Sequence, residues 1–229
     1  MLAVMAAMTA ILVLTLAAGV PAASARDSAA AAKATSKPVY KSSIHRIDAA
    51  LKAKMIRSGS WKPSDPITLN HLRLIKVSYW GFDRKVHTGN LVVNYKWAKR
   101  LTGVFRKLFK AGFHIHRMRL IDYYGASDHR SIRADNTSSY NGRFVSGTTH
   151  WSMHAYGLAI DINTVENPWV SGTSVSPPNG RPYMDRSRRA TGMIHAGDAV
   201  VRAFRSIGWK WGGSWSGAKD YQHFSSNGT

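Results

Sequence analysis

The chain of 229 residues contains no cysteine. This absence excludes disulfides, cysteine nucleophiles, iron–sulfur clusters and thiolate zinc sites. A metal ion, if one is bound, must be held by histidine and carboxylate side chains.

Acidic residues are also scarce, since 12 Asp and Glu stand against 32 Lys and Arg and give a net charge of +20. Such an excess predicts an anionic partner, which could be nucleic acid, anionic lipid or an acidic wall polymer. The hydrophobic fraction of 44% is enough to build a core, so wholesale disorder is excluded. The length fits one globular domain with a tail better than two full domains.

Long apolar runs are confined to residues 1–25, which carry no charged side chain. They contain the run 11–16 and end in Ala23-Ser24-Ala25, which has the small-x-small form of a secretory cleavage site. We therefore predict a signal peptide over 1–25, with an uncleaved membrane anchor as the alternative. Residues 26–43 are rich in Ala, Ser and Lys and predict a flexible linker, which leaves 44–229 as the folded domain.

The rest of the chain alternates irregularly between helical and strand patterns, with no repeat period. The spacing of Ile44, Ile47, Leu51 and Met55 predicts an amphipathic helix that ends at Gly59. Further helices are predicted over 95–111 and 196–207, and strands over 72–79, 91–93, 115–123 and 158–162. This order predicts an α+β fold in which helices pack on a small, mostly antiparallel sheet.

Three side chains are candidate metal ligands, namely His154, Asp161 and His223. Asp161 stands between Ile160 and Ile162 in a short predicted strand, and a carboxylate there is costly to bury alone. It needs a metal ion, an arginine or water as its partner. Two imidazoles and one carboxylate with an open fourth position form the usual catalytic zinc set when thiolates are absent.

A second carboxylate, Asp220, lies three residues before His223. Such a group can take a proton from a water molecule and later pass it to a leaving amine. Both spacings are generic, however, and an exposed Asp-x-x-His segment is unremarkable by itself. His114 and His116 alternate along a predicted strand without a carboxylate at a useful spacing, so we expect them to be structural.

Two segments resemble the motifs of a known family. Residues 152–161 read Ser-Met-His-Ala-Tyr-Gly-Leu-Ala-Ile-Asp and resemble the Ser-x-His-x-x-Gly-x-Ala-x-Asp signature of the M15 zinc peptidases. That family includes D-alanyl-D-alanine carboxypeptidases and L-alanyl-D-glutamate endopeptidases. Residues 220–224 resemble its acid-x-x-His-Phe motif, and the segments 135–143, 183–186 and 209–215 are similar to a secreted bacterial branch. The resemblance extends over about 44–224.

The resemblance implies Zn²⁺ on His154, Asp161 and His223, with Asp220 as the general base that acts on metal-activated water. It implies a secreted, cell-wall-associated metallopeptidase that hydrolyses peptide bonds of peptidoglycan stem peptides. The implied fold is the α+β fold shared by D-Ala-D-Ala peptidases and hedgehog domains. Whether a carboxypeptidase or an endopeptidase is present does not follow from these motifs, and the long segment 163–192 is expected to shape that choice.

Further site roles come from the same resemblance. Arg143 is implied to stabilise the oxyanion, although a guanidinium could also clamp a substrate carboxylate or simply be solvated. Ser152 and Tyr156 are predicted to contact substrate, and Ser152 could instead orient His154 or serve as a turn residue. Trp209, Trp211 and Trp215 could line a sugar-facing cleft, but we expect them to support the core and loops.

Two departures from the family concern cysteine. Many relatives carry Cys at the positions of Asp65 and Gly142, so these replacements indicate a lost disulfide rather than lost catalysis.

The expected partners are the peptidoglycan peptide and, because of the charge, anionic wall polymers. Nucleic acid is not expected because no nucleic-acid-binding motif occurs. We expect a monomer that does not bind membranes after cleavage. The alternative is a non-catalytic, zinc-containing wall-binding module, which would lack a general base, and the presence of Asp220 favours the enzyme.

Overall fold

The computed structural model describes residues 38–229. The predicted signal peptide and the linker up to residue 37 lie outside the described residues. Within the described part, no helix is both long enough and apolar enough to cross a membrane.

Helices and strands alternate along this part of the chain. The strands are β1 (Ser42–Arg46), β2 (Leu72–Trp80), β3 (Val86–Asn94), β4 (Ala159–Asp161), β5 (Trp169–Ser171), β6 (Ser174–Ser176), β7 (Lys210–Trp211), β8 (Lys219–Asp220) and β9 (His223–Ser225). The α-helices are α1 (Ala49–Ser58), α2 (Ala98–Lys110), α3 (Asp128–Arg133) and α4 (Ala199–Arg205). Short 3-10 helices cover Leu69–His71, Ile121–Tyr124, Met153–Tyr156, Pro178–Tyr183 and Gly212–Ser214.

The strands form three antiparallel sheets of three strands each, ordered β1-β2-β3, β4-β9-β7 and β6-β5-β8. The prediction of an α+β fold with antiparallel pairing is confirmed. The single small sheet that we expected is divided into three, because the later strands are only two or three residues long.

Helix α2 packs on the first sheet and forms the main core. Its apolar stripe of Leu101, Phe105 and Leu108 is buried together with Ile75 and Val77 of β2. Each fully buried side chain of this size contributes about 1.5–3 kcal/mol. The helix predicted over 95–111 is therefore confirmed, with slightly shorter bounds.

The chain enters the domain as a strand rather than as the helix predicted from Ile44. β1 pairs with β2 from Ser42 to Arg46, so that Ile44 lies in a strand and stays 43% exposed. Helix α1 begins only at Ala49, after the Asp48 carboxylate accepts a hydrogen bond from a backbone N–H of the first turn. The boundary drawn between linker and domain at residue 44 thus falls inside β1.

The strand predicted over 115–123 is wrong, and its buried apolar side chains, Ile115, Met118 and Ile121, recur every three residues rather than every two. Side-chain amides satisfy much of this backbone, since Asn163 Oδ1 accepts from the N–H of His116 at 3.0 Å. Asn136 Oδ1 likewise accepts from the N–H of Arg119 at 2.9 Å. With these donors already paired, the segment forms isolated bridges and a 3-10 helix instead of a strand.

Candidate active site

The fold brings together the three candidate ligands, which come from three different elements. His154 lies on the 3-10 helix Met153–Tyr156, Asp161 ends β4 and His223 begins β9. β4 and β9 pair so that Asp161 stands directly opposite His223. Ligand atoms of the three residues lie within 4.8 Å of one another, and all three side chains are buried.

The Asp161 carboxylate bridges the two imidazoles. Its Oδ2 lies 3.1 Å from His154 Nε2, and its Oδ1 lies 3.0 Å from His223 Nδ1. The other ring nitrogens face backbone carbonyls, with His154 Nδ1 2.6 Å from Ser139 O and His223 Nε2 3.1 Å from Thr229 O. A nitrogen facing a carbonyl carries the proton, so the nitrogen facing Asp161 is the one free to bind a metal ion.

The turn that presents His154 depends on its two flanking residues. Ser152 Oγ accepts a hydrogen bond from the N–H of His154 at 3.2 Å, and Ser152 is itself buried. Gly157 ends the turn at φ 64°, where a Cβ would lie 2.7 Å from the backbone nitrogen of Asn94. Only glycine fits this close approach, so the spacing between the first two ligands is fixed by backbone packing.

Charge and burial shift the pKa values of the cluster in opposite directions. Burial alone would raise the pKa of Asp161, but the charges and hydrogen bonds of His154 and His223 hold it well below its usual range. Burial opposes charge on His223, yet its hydrogen bond to Asp161 and the charge of that carboxylate raise its pKa to about 9. A cation bound here would have to displace the proton that His223 shares with Asp161, because an imidazole ligates a metal ion only in its neutral form.

Asp220 lies beside this cluster, at the end of β8, where it pairs with Trp169 of β5. Burial, together with the charge of Asp161, raises the pKa of Asp220 to about 6, against the opposing effect of His223. Within residues 38–229 its Oδ1 has no hydrogen-bond partner. Gly212 permits this placement, since a Cβ there would lie 2.6 Å from the Asp220 carbonyl oxygen.

A cleft of about 1350 Å³ opens over the cluster. It is lined by the three candidate ligands, by all the other predicted site residues and by several aromatic side chains: His154, Asp161, His223, Asp220, Arg143, Ser152, Tyr156, Trp151, Trp169 and Trp215. Every residue assigned to the site from the sequence thus faces one cavity. Ser152 caps the turn that carries His154, which agrees with the alternative that Ser152 orients this histidine.

At the edge of the cleft, Arg143 forms an ion pair with Asp128, which was not among the site residues predicted from the sequence. Its Nη2 lies 2.9 Å from Asp128 Oδ2, and its Nη1 donates to the Phe144 carbonyl at 3.2 Å. Both Arg143 and Asp128 line the cleft. Asp128 begins helix α3, a position that offers no motif in the sequence and is recognisable only from the folded chain.

One tryptophan departs from expectation, and His116 has a partner that the sequence spacing did not reveal. Trp209 and Trp211 are buried in the core as expected, whereas Trp215 lines the cleft, with its ring centroid 5.7 Å from that of His223. His116 does have a carboxylate partner, because Asp135 Oδ2 lies 3.1 Å from its Nδ1. Neither His116 nor Asp135 lines the cleft, so this pair is separate from the site.

Residues 146–226 match a model of an M15 peptidase family described as D-alanyl-D-alanine carboxypeptidase. The matched segment contains His154, Asp161, Asp220 and His223, and the match confirms the resemblance to M15 peptidases that the motifs predict. No curated protein and no solved structure matches the chain.

Proposed function

We propose that the protein is a secreted zinc peptidase that hydrolyses peptide bonds of peptidoglycan stem peptides. The observation that carries this proposal is the convergence of His154, Asp161 and His223 at the floor of one cleft. The family match supports peptidase chemistry, and the net charge of +20 favours an anionic wall environment.

The donor set fits a zinc ion. It offers two imidazole nitrogens and one carboxylate, which are the ligands of a catalytic site without thiolates. Ser139 and Thr229 accept the protons of the outer ring nitrogens and leave the inner nitrogens of His154 and His223 facing the same carboxylate. Zinc in such a site supplies a Lewis acid for the scissile carbonyl and lowers the pKa of water.

Asp220 is proposed as the general base. Burial and the charge of Asp161 raise its pKa, so this carboxylate accepts a proton more readily than an exposed aspartate does, which suits a group that must both accept and return a proton. It takes the proton of the attacking water at its carboxylate and delivers it to the leaving amine. Its Oδ1, which is unpartnered in the described chain, is available for this transfer.

Arg143 is proposed to stabilise the negative charge that develops on the scissile carbonyl oxygen. The contact with Asp128 keeps the guanidinium at the cleft, so it is positioned before substrate arrives. A fixed donor of this kind acts most strongly where charge forms during the reaction. Ser152 supports the His154 turn, and Tyr156 lies on the cleft wall as a proposed substrate contact.

The experiment is digestion of purified peptidoglycan, followed by mass spectrometry of the released muropeptides. We expect cleavage by the zinc-loaded protein, loss of activity after chelation and recovery on return of zinc. Loss of terminal D-Ala would identify a carboxypeptidase, whereas newly freed amino groups within the stem would identify an endopeptidase. Activity that survives complete metal removal would contradict the proposal.

A substitution of the proposed general base distinguishes an enzyme from a non-catalytic module. Asp220→Asn should retain zinc, measured by metal analysis, while turnover falls by at least about 10²-fold, as expected for loss of general acid–base catalysis. If the wild-type protein binds zinc and the cell wall but releases no peptide fragment, and the Asp220→Asn variant behaves in the same way, the result would support the non-catalytic wall-binding module instead.

A further inference from the structure

Every exposed side chain of helix α2 is basic. The buried positions of this helix face the core, and the exposed positions are occupied only by Lys99, Arg100, Arg106, Lys107 and Lys110. No acidic residue occurs anywhere in α2. A helix usually mixes both signs on its outer face, because like charges three or four residues apart repel.

Helix α4 extends this surface. It packs against α2, and its exposed residues are Arg202 and Arg205. Lys107 Nζ donates to Ser206 Oγ at 2.7 Å and joins the ends of the two helices. We name the seven cations the α2–α4 basic face: Lys99, Arg100, Arg106, Lys107, Lys110, Arg202 and Arg205.

In the described chain, no carboxylate neutralises this face. The arginine–carboxylate ion pairs among residues 38–229 join Arg143 to Asp128 and Arg189 to Asp198. Asp198 is the N-cap residue of α4, but it forms an ion pair with none of the seven cations. Arg106 is instead placed over the Tyr40 ring, at 6.0 Å from the centroid. An array of cations without counter-charges raises the electrostatic potential of the surface and attracts anions.

We propose that the α2–α4 basic face binds a linear polymer of repeating phosphodiester groups. Lys99, Arg106 and Lys110 lie in one row along α2, at positions i, i+7 and i+11. With a rise of 1.5 Å per residue, the steps along the helix are about 10 Å and about 6 Å. Such a row can contact several phosphates of an extended chain at once.

The occupant that this face favours is a polyol phosphate rather than a nucleic acid. Proteins that bind single-stranded nucleic acid place aromatic side chains in the groove, where bases stack. The exposed positions of α2 carry no aromatic residue. Two aromatic rings next to the face, Tyr40 and Trp97, pack against the core and already lie against Arg106 and Arg100. The face therefore presents cations rather than free rings on which bases could stack.

The face is separate from the catalytic cleft, since no residue of α2 or α4 lines that cleft. A bound polymer would hold the protein on an anionic wall and leave the cleft open to peptides. The inference concerns binding alone, so it does not depend on catalysis and can be tested on the inactive Asp220→Asn variant.

The test compares two variants that each lose four positive charges. In the first, Lys99, Arg106, Lys110 and Arg205 become Gln; in the control, Arg46, Lys52, Arg57 and Lys76, which are exposed on other elements, become Gln. Binding to poly(glycerol phosphate) is measured by titration calorimetry between 50 and 200 mM salt, and circular dichroism verifies folding.

We expect the first variant to lose at least about tenfold in affinity, with a salt slope smaller by about 3, because each phosphate contact on a flexible strand contributes about 0.7. The control should keep most of the affinity and the slope. Equal losses in the two variants would show that only net charge matters and would overturn the proposal.

A gain of binding provides an independent measurement. Gly103 lies in the same row, four residues after Lys99, and a Cβ at this position meets no other atom within 4 Å. Gly103→Lys should bind poly(glycerol phosphate) several-fold more tightly than Gly103→Ala, which removes the same glycine without adding charge. Tighter binding of single-stranded DNA of equal charge than of poly(glycerol phosphate) would also reject the assignment.

Discussion

At the scale of single residues, Gly157 shows how backbone packing places a candidate metal ligand, His154. Its φ of 64° and its approach to Asn94 both exclude a side chain. Gly157→Ala should therefore lower the free energy of unfolding by more than about 2 kcal/mol, which combines backbone strain with overlap.

The matched control is Gly59→Ala. Gly59 also has a positive φ, 78°, but a Cβ there meets nothing within 4 Å, so only the conformational strain of about 1 kcal/mol remains. Urea unfolding of the two variants measures the difference. If they are equally destabilised, close packing at Gly157 does not position the His154 turn.

A second prediction at this scale concerns Arg143. Arg143→Ala should lower kcat by about 10²–10³-fold, as for the loss of one oxyanion donor, while the zinc content stays the same. Asp128→Asn, which removes the ion pair at 2.9 Å, should have a smaller effect because the guanidinium remains. Steady-state kinetics on a purified muropeptide tests both variants. An Arg143→Ala variant that changes only KM would identify a substrate-carboxylate clamp instead.

At the scale of elements, Asp65 and Gly142 connect two distant segments. A Cβ built on Gly142 would overlap the Asp65 carboxylate, and that carboxylate accepts a hydrogen bond from Tyr140 Oη at 2.9 Å. The two positions at which relatives are expected to carry Cys are thus neighbours in this fold. A polar contact occupies the space that a disulfide would fill.

Asp65→Cys combined with Gly142→Cys should therefore form a disulfide under oxidising conditions. We expect a stabilisation of about 2–4 kcal/mol relative to the reduced form of the same variant, because the bond would close a long loop. Thermal unfolding with and without reductant measures it. A thiol titration that finds both cysteines free after oxidation would contradict the geometry.

Elements that depend on the pattern of neighbouring residues can be predicted from the sequence. Elements whose hydrogen-bond partners lie far away along the chain cannot. The α2 stripe follows directly from periodicity, and the ligand set follows from the motif residues. The segment around Met118 is misjudged because its backbone donors are satisfied by Asn136 and Asn163, which are far away in the chain. The ion pair of Asp128 with Arg143 likewise could not be predicted, because only the fold brings these two residues together.

At the scale of the whole molecule, one buried acid makes stability depend on pH. Glu166 is the single glutamate of the chain and is only 5% exposed. Burial, followed by the charge of the neighbouring Asp135, raises its pKa from 4.5 to about 9. The folded protein thus retains a proton that the unfolded chain releases.

A raised folded pKa means that this contribution to stability is complete below about pH 4.5 and is lost as the pH rises towards 9. Glu166→Gln cannot ionise and should show a flatter stability profile between pH 5 and pH 9, measured by urea unfolding. Asp185→Asn, at an exposed carboxylate, is the control and should keep the wild-type slope in this range. An unchanged slope in Glu166→Gln would assign the pH dependence to other groups.

The pairing of β4 with β9 also has a consequence for biosynthesis. Asp161 and His223 stand opposite each other although 62 residues separate them along the chain. A nascent polypeptide that has been translated only as far as Trp215 contains two of the three candidate metal ligands and lacks Asp220. The proposed peptidase site is therefore incomplete until the chain has been made as far as His223 and β9 has paired with β4.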